Sequence, residues 1–370
     1  MVLCILLAAF GIAKAPDFYR APGSDFFSFW LASHLLVTGE SPYNPDAWLA
    51  GHEFYGGMQT STATVRAYGY PLSLAVLGIP LGFLSLEVAA VLATAASILG
   101  VIFSFQLALS SGRMENELKY TLPAIAGIFL FRPVSVTLYL GQIDTIILFV
   151  MVLCLWLWQR KKWFWGGFLL AFTVLKPNIG PPLLFFIGIW LLYQRKWNAI
   201  AGMGLAAGVL YLLGWIFDPL WVQHWLAALS GFVENRRIFT PTIWGFSYWI
   251  TNGSESLMNI ISVALILILS IGLLLMLLRI KDDQPQIAVG AAIPIILMVM
   301  PYLWVYSQCA LVLPLLLIWQ KLYKAQKPYL ITSGFLLLIG LFSFILVLVA
   351  ISIEIDVNTF LVPALTLVLF

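Results

Sequence analysis

An aspartate followed by a run of aromatic residues is the first feature of this sequence that could carry chemistry. Asp25 is followed by Phe26, Phe27, Phe29 and Trp30. A carboxylate beside an apolar surface can serve as a general base, accepting a proton from a substrate hydroxyl group. The same aspartate is also a suitable N-cap for a helix over 26–38. The spacing alone leaves both interpretations open.

Two further polar groups interrupt apolar segments. The first is Gly-Gln-Ile-Asp, in which Gln142 and Asp144 open an apolar run and either cap its first turn or project into a cavity. The second is Lys-Pro-Asn, in which Lys176 and Asn178 separate two apolar runs. A lone lysine at this position suits a phosphate ligand, and the alternative is that its ammonium group extends to the membrane interface.

A basic pair and a set of aromatic residues complete the candidates. Arg236 and Arg237 suit an anionic head group, although an ion pair with Glu234 would also account for them. The aromatic candidates share a position next to an apolar segment, where rings and hydroxyl groups suit a sugar or a lipid chain: Tyr43, Tyr68, Tyr70, Trp304 and Tyr306.

The composition shows what kind of scaffold must position these residues. Of the 370 residues, 62% are hydrophobic and 9% are charged, whereas a soluble domain carries roughly 25% charged residues. We therefore expect an all-α, polytopic transmembrane protein in which residues 1–370 form one membrane-embedded domain. At about 20 helical residues per crossing, the apolar runs predict about 12 spans.

The predicted spans follow the apolar runs of the sequence. They lie near 1–15, 71–110, 121–133, 140–158, 163–176, 180–193, 198–217, 256–279, 287–302, 308–323, 329–352 and 357–370. The run 71–110 is interrupted at 80–82, and we expect it to cross once, with 71–84 forming a re-entrant or interfacial half-helix. Residues 1–13 lack the basic leader and small-residue cleavage site of a secretory signal and are interpreted as a membrane helix.

Basic residues in the short loops predict the orientation. They cluster at 160–162, 195–196, 279–281 and 321–327, and such clusters mark the cytoplasmic side. Alternation then places two long loops, 16–70 and 218–255, on the outer side. Residues 26–38 and 46–56 are predicted to form amphipathic helices in the first of these loops. The candidate polar residues gather on this outer side.

The motifs that the sequence lacks narrow the function. It contains no phosphate-binding P-loop, no dinucleotide-binding glycine fingerprint and no Asp-x-Asp pair for a nucleotide-sugar metal. No inverted pair of broken helices with charges at the membrane midplane indicates a secondary transporter. Chemistry at the outer membrane surface is therefore favoured over transport.

The order of the motifs resembles the membrane-embedded GT-C glycosyltransferases, most closely glycosyltransferase family 87. The resemblance covers about residues 20–310 and is carried by Asp25 with its aromatic helix, Gly39 with Pro42-Tyr43, Tyr70-Pro71, Pro80-Leu81, Gly141-Gln142, Lys176-Pro177 and Pro301 with Trp304. The sequence departs from the family pattern in two places. Tyr306 stands in a segment where members often carry histidine, and Asp144 adds a charge after Gly-Gln.

The resemblance implies a GT-C-like architecture and a reaction. A hexosyl group, expected to be mannosyl, would pass from a polyprenyl-phosphate donor to a lipid or glycan acceptor with inversion, at the extracytoplasmic side of the cell membrane. Asp25 would be the general base, while Lys176, Arg236 and Arg237 would bind the donor phosphate. The substrate would contact Tyr43, Tyr68, Tyr70, Gln142, Asp144, Asn178, Trp304 and Tyr306.

The expected partners are the donor, the acceptor and membrane lipids, without a cofactor, a metal or nucleic acid. Two alternatives stay open. One is a non-catalytic flippase or transporter for a lipid-linked sugar, and the other is a GT-C enzyme that uses another sugar.

Overall fold

The computed structural model describes residues 25–56, 68–112, 117–233, 237–353 and 359–370, with side chains except at 230–233, 237 and 347–353. Every regular element in these ranges is helical. In chain order the helices are α1 (Asp25–Thr38), α2 (Pro45–Gly56), α3 (Leu72–Leu77), α4 (Ile79–Gly82), α5 (Leu86–Gly112), α6 (Leu118–Leu130), α7 (Arg132–Leu140), α8 (Asp144–Gln159), α9 (Trp163–Ala171), α10 (Gly180–Tyr193), α11 (Trp197–Phe217), α12 (Trp221–Val233), α13 (Ile243–Ile250), α14 (Glu255–Leu277), α15 (Pro285–Val299), α16 (Val312–Lys324), α17 (Tyr329–Ile353) and α18 (Leu361–Leu369). Short 3₁₀ helices lie at Phe172–Leu175, Arg237–Phe239 and Val305–Leu311.

Several helices are long and apolar enough to cross a membrane. Within the described ranges there are five: α5, α11, α14, Val305–Lys324 and the first part of α17, Tyr329–Leu346. A sixth results if α6 and α7, which meet at a bend of 59°, count as one broken span. These helices identify a membrane protein, but they do not confirm the prediction of about 12 spans. The predicted first span, 1–15, lies outside the described residues.

The difference in span number comes from apolar runs that form short helices. The runs at 140–158, 163–176, 180–193 and 287–302 contain α8, α9, α10 and α15, which have 16, 9, 14 and 15 residues. At 1.5 Å per residue such helices fall short of a hydrocarbon core of about 30 Å. An apolar run can therefore contain a helix that is shorter than a straight span, and hydropathy does not give the length of that helix.

The run 71–110 shows the predicted interruption. The short helices α3 and α4 come first, and α5 then continues unbroken for 27 residues. Proline lies at the second position of α4, where its missing N–H leaves no intrahelical bond unmade.

The first long loop packs into a second apolar core together with α3, the start of α5 and Trp221. The helix predicted over 26–38 is present as α1, but eight of its 14 residues are buried. Helices α2, α3 and α4 pack against it, so it does not present the polar face expected of an amphipathic helix at an interface. Helix α2 has two faces, with Trp48 buried and Phe54 exposed. The other large buried side chains of this core include Phe27, Trp30, Leu31, Leu72 and Trp221.

The main core lies among the helices that follow. Helix α5 packs on α8, α9 packs on α8 and α11, and α6 packs on α17. Leu148, Trp190 and Trp319 are completely buried there. In contrast, α11 and α14 expose leucine, isoleucine and valine along their length, for example Leu212 and Ile268. Contiguous exposed apolar surface of this kind suits contact with lipid.

Helices α8, α9 and α10 run in alternating directions. Buried polar residues lie at one end of the group, and basic residues that are not buried lie at the other end. Asp144 begins α8 and contacts Lys176 after α9, and this side is called the polar end. The opposite side, called the basic end, carries Arg160 after α8 and Lys196 after α10. Lys196 forms an ion pair of 2.6 Å with Asp282 there.

The turn between α9 and α10 requires a glycine. A Cβ atom at Gly180 would lie 2.0 Å from the backbone oxygen of Thr173. The two chain segments can approach this closely only because residue 180 has no side chain.

We predict that Gly180→Ala lowers the stability of the protein by about 1–3 kcal/mol, because the added methyl group overpacks the turn. Gly204→Ala is the matched control, since a Cβ there meets nothing within 4 Å in α11. The control is expected to be neutral or slightly stabilising. Thermal unfolding of both variants in detergent gives the comparison, and equal melting temperatures would contradict this account of the turn.

Candidate active site

The break between α7 and α8 supplies two of the predicted polar residues. Gly141 ends α7 in a left-handed conformation, with φ of 66°, which glycine adopts without strain. The chain then turns so that the backbone N–H of Gln142 donates to the oxygen of Thr137 at 2.9 Å. Gln142 and Asp144 are each 1% exposed. The structure therefore buries both side chains at the polar end.

The break between α9 and α10 brings a cation to the same place. Lys176 follows the 3₁₀ helix and is 1% exposed. Its Nζ lies 2.9 Å from Asp144 Oδ2 and donates to Gln142 Oε1 at 2.6 Å. A buried charge is costly unless it is paired and hydrogen-bonded. Lys176 is both paired and hydrogen-bonded, and its two partners, Asp144 and Gln142, come from the break between α7 and α8.

Asp25 joins this group from the first residue of α1. Gln142, Lys176 and Asp144 all lie close enough to its carboxyl group to influence its pKa. Burial is the dominant influence and raises the pKa of Asp25 above the ordinary aspartate value of 3.8, while Gln142 and Lys176 oppose this shift. Because Asp25 is the first residue of α1, its carboxylate also interacts favourably with the positive end of the helix dipole.

Two tyrosines border the same group. Gln142 Nε2 donates to the hydroxyl oxygen of Tyr70 at 3.2 Å. The ring centroids of Tyr70 and Tyr306 lie 5.6 and 4.6 Å from Lys176 Nζ. We call Asp25, Tyr70, Gln142, Asp144, Lys176 and Tyr306 the polar cluster. Its aromatic faces lie beside a cation, an arrangement that is itself attractive.

Asn178 is connected to the cluster through residues that were not predicted. Its Nδ2 donates to Ser307 Oγ at 3.0 Å, and Thr137 Oγ1 donates to the backbone oxygen of Tyr306 at 3.3 Å. Asn178 Oδ1 is buried without a hydrogen-bond partner among the described residues. Nothing in the sequence distinguishes Ser307 or Thr137 from the many other hydroxyl residues of apolar segments.

The remaining predicted residues are not members of the polar cluster, although Tyr68 packs against Tyr70 with the ring centroids 5.7 Å apart. Tyr43 and Tyr68 belong to the core of the first loop, and the Tyr43 hydroxyl donates to the backbone oxygen of Tyr70 at 2.6 Å. Trp304 is partly buried and packs edge-on against Tyr302 with the ring centroids 5.9 Å apart. Arg236 and the side chain of Arg237 lie outside the described residues.

His52 is a buried polar residue whose setting the sequence did not indicate. Its ring packs against Phe27 and Trp48, with centroid distances of 5.0 and 4.9 Å. Burial lowers the pKa of His52 to about 4, so the imidazole is neutral at pH 7. Both ring nitrogens lack a hydrogen-bond partner in the described part of the chain.

Comparison with known proteins gives the family. The model of glycosyltransferase family 87 matches residues 68–348, well over half of the chain. The chain belongs to glycosyltransferase family 87. No curated protein and no solved structure matches it. The family predicted from the order of motifs is thereby confirmed, and the protein is a glycosyltransferase.

The matched segment contains most of the polar cluster. Tyr70, Gln142, Asp144, Lys176 and Tyr306 lie inside it, whereas Asp25 precedes it. The role considered for Asp25 therefore rests on the contacts of its carboxyl group with the cluster and not on the family match.

The ion pair between Lys176 and Asp144 predicts how variants at these two positions rank in stability. Lys176→Met leaves two buried carboxylates without a cation, so we expect a loss of about 3–5 kcal/mol. Asp144→Asn leaves Lys176 facing Asp25 and should cost less. The double variant should be more stable than Lys176→Met alone, because it removes one of the two unpaired carboxylates. Thermal unfolding of the three variants measures the order, and equal losses for the two single variants would contradict it.

Proposed function

We propose that this glycosyltransferase moves a hexosyl group, most simply mannosyl, from a polyprenyl-phosphate donor to a hydroxyl group of a lipid or glycan acceptor. The observation that carries the proposal is the Asp25 carboxyl group, which lies beside Gln142 in a polar cluster that also contains a buried lysine and two tyrosine rings. A carboxylate in this setting is suited to accept a proton from an acceptor hydroxyl.

The proposed reaction is a single displacement. The acceptor oxygen forms a bond to the anomeric carbon while its proton passes to Asp25. The bond between that carbon and the phosphate oxygen breaks, and its electron pair leaves with the polyprenyl phosphate. Attack on the face opposite the phosphate inverts the anomeric configuration. The transition state has oxocarbenium character, which a nearby carboxylate also stabilises.

Lys176 is the proposed cation for the departing phosphate. A lysine ammonium group has three N–H donors. Gln142 Oε1 accepts from one of them at 2.6 Å, and the ion pair with Asp144 Oδ2 at 2.9 Å engages the ammonium group from a second direction. The third donor suits a phosphate oxygen, whose negative charge grows as the bond to the sugar breaks. Arg236 and Arg237 are proposed to assist from the second outer loop.

The substrate is proposed to lie along the polar end. Tyr70 and Tyr306 offer ring faces beside Lys176, and Asn178 offers its buried free oxygen. Tyr43, Tyr68 and Trp304 are proposed to shape the surrounding surface. The basic residues lie at the other end of α8, and basic loops favour the cytoplasm. This distribution supports an extracytoplasmic reaction with the prenyl chain in the bilayer.

Asp25→Asn tests the general base directly. We expect sugar transfer to fall by about 10²- to 10⁴-fold, because the amide cannot accept the proton. The matched control is Asp46→Asn, because Asp46 lies exposed in the first turn of α2. This variant should transfer the sugar at the wild-type rate. The assay follows labelled mannose from polyprenyl-phosphate mannose into lipid or glycan products in proteoliposomes.

Other outcomes of this assay contradict separate parts of the proposal. Near wild-type transfer by Asp25→Asn would exclude the general-base role. Transbilayer movement of the lipid-linked sugar without transfer would favour the flippase alternative. Transfer from a different polyprenyl-phosphate sugar, but not from the mannosyl donor, would correct the sugar alone.

The pH dependence of transfer provides an independent prediction. Asp25 is active as the carboxylate, and its pKa is raised by burial, so the acid limb of the rate profile should lie above pH 3.8. Gln142 stabilises the charged form and lowers this pKa. Gln142→Leu should therefore move the acid limb to higher pH. A profile unchanged from wild type would contradict the contact between Gln142 and Asp25.

A further inference from the structure

A polar cavity opens at the basic end of the molecule, away from the polar cluster. It has a volume of about 440 Å³, within the range of roughly 300–1,000 Å³ typical of ligand pockets. Its lining residues are all polar or charged: Ser110, Ser111, Gln159, Arg160, Asp283 and Gln286. We call this space the basic-end cavity.

The lining residues place the basic-end cavity at the level of lipid head groups. Ser110 and Ser111 lie in the last turn of the spanning helix α5, and Gln159 is the last residue of α8. Gln286 lies in the first turn of α15. The 16 residues of α8 put about 22 Å between the cavity and Asp144. The cavity is therefore a separate site from the polar cluster.

One of the lining residues is a cation that is held in place. The Arg160 guanidinium group lies 3.6 Å from the centroid of the Trp156 ring. It donates to the backbone oxygen of Trp156 at 3.2 Å and to Ser110 Oγ at 3.3 Å. A guanidinium group has five N–H donors, so donors remain for a ligand. Arginine beside serine hydroxyl groups is a chemistry that binds phosphate.

Acceptors also line the cavity. Gln286 Oε1 is buried without a hydrogen-bond partner among the described residues, and such an atom is costly to leave unpaired. The carboxylate of Asp283 lines the same cavity. Within the described part of the chain, neither Arg160 nor Asp283 forms an ion pair. The cavity is thus lined by a positive and a negative charge that do not pair with each other in the described part of the chain.

We propose that the basic-end cavity binds the head group of a zwitterionic phospholipid that carries a phosphate and a primary ammonium group, as in phosphatidylethanolamine. The phosphate faces Arg160 and the serine hydroxyl groups. The ammonium group donates to Asp283 and to Gln286 Oε1. A choline head group lacks these N–H donors, and a glycerol head group lacks the positive charge.

Native mass spectrometry of the purified full chain in detergent tests the proposal. Phosphatidylethanolamine, phosphatidylcholine and phosphatidylglycerol with identical acyl chains are added at equal concentration. We expect wild-type protein to retain phosphatidylethanolamine about tenfold more than either other lipid, the ratio given by one additional charge-assisted contact. Asp283→Asn should equalise phosphatidylethanolamine and phosphatidylcholine. Arg160→Ala should lower the retention of all three lipids.

Two variants serve as controls. Lys281→Ala removes an exposed charge near the cavity that does not line it, and it should keep the wild-type preference. Arg160→Lys keeps the charge and should retain more lipid than Arg160→Ala, even if truncation disturbs folding.

Three results would overturn the proposal. One is equal retention of the three lipids by the wild-type protein. Another is a preference for phosphatidylglycerol, which would assign the cavity to anionic lipid. The third is displacement of the lipid by soluble glycerophosphoethanolamine at equal concentration, which would assign it to a free phosphoester.

Discussion

The buried ion pair between Lys176 and Asp144 is the interaction on which the rest of the site depends. The two side chains are each 1% exposed, and they come from different breaks between apolar helices. Separating them would leave charges without partners in an apolar interior, at a cost of several kcal/mol. The pair therefore keeps the ends of α8 and α9 in register, and Gln142, which accepts from Lys176, is fixed along with them.

Gln142 connects this pair to the segment that contains α1. Its amide oxygen accepts from Lys176, so its nitrogen is directed toward Tyr70 and Asp25. Asp25 belongs to a helix with an apolar core of its own. Two separately packed parts of the chain thus meet at one amide group. This geometry explains how a carboxyl group outside the segment matched by the family becomes part of the candidate site.

Helix α8 carries chemistry at both ends. Asp144 at its first residue faces the proposed sugar-transfer site, whereas Gln159 at its last residue lines the basic-end cavity. The helix packs against α5 and α9, so it is held firmly along its length. A membrane glycosyltransferase with this layout keeps its proposed catalytic charges and its proposed lipid contact on opposite ends of one rigid element.

The sequence by itself determined the membrane class, the helical fold, the interruption before α5 and the family. These properties follow from composition and from the order of motifs, and both can be obtained along the chain without knowing which segments pack together. It also singled out Asp25, Gln142, Asp144 and Lys176, because polar residues in apolar runs are costly and therefore conspicuous. Only the tertiary structure decided that Lys176 pairs with Asp144, that α1 is buried and that α8, α9, α10 and α15 end after 9 to 16 residues. These properties depend on which segments pack together, and hydropathy along the chain contains no distances between segments.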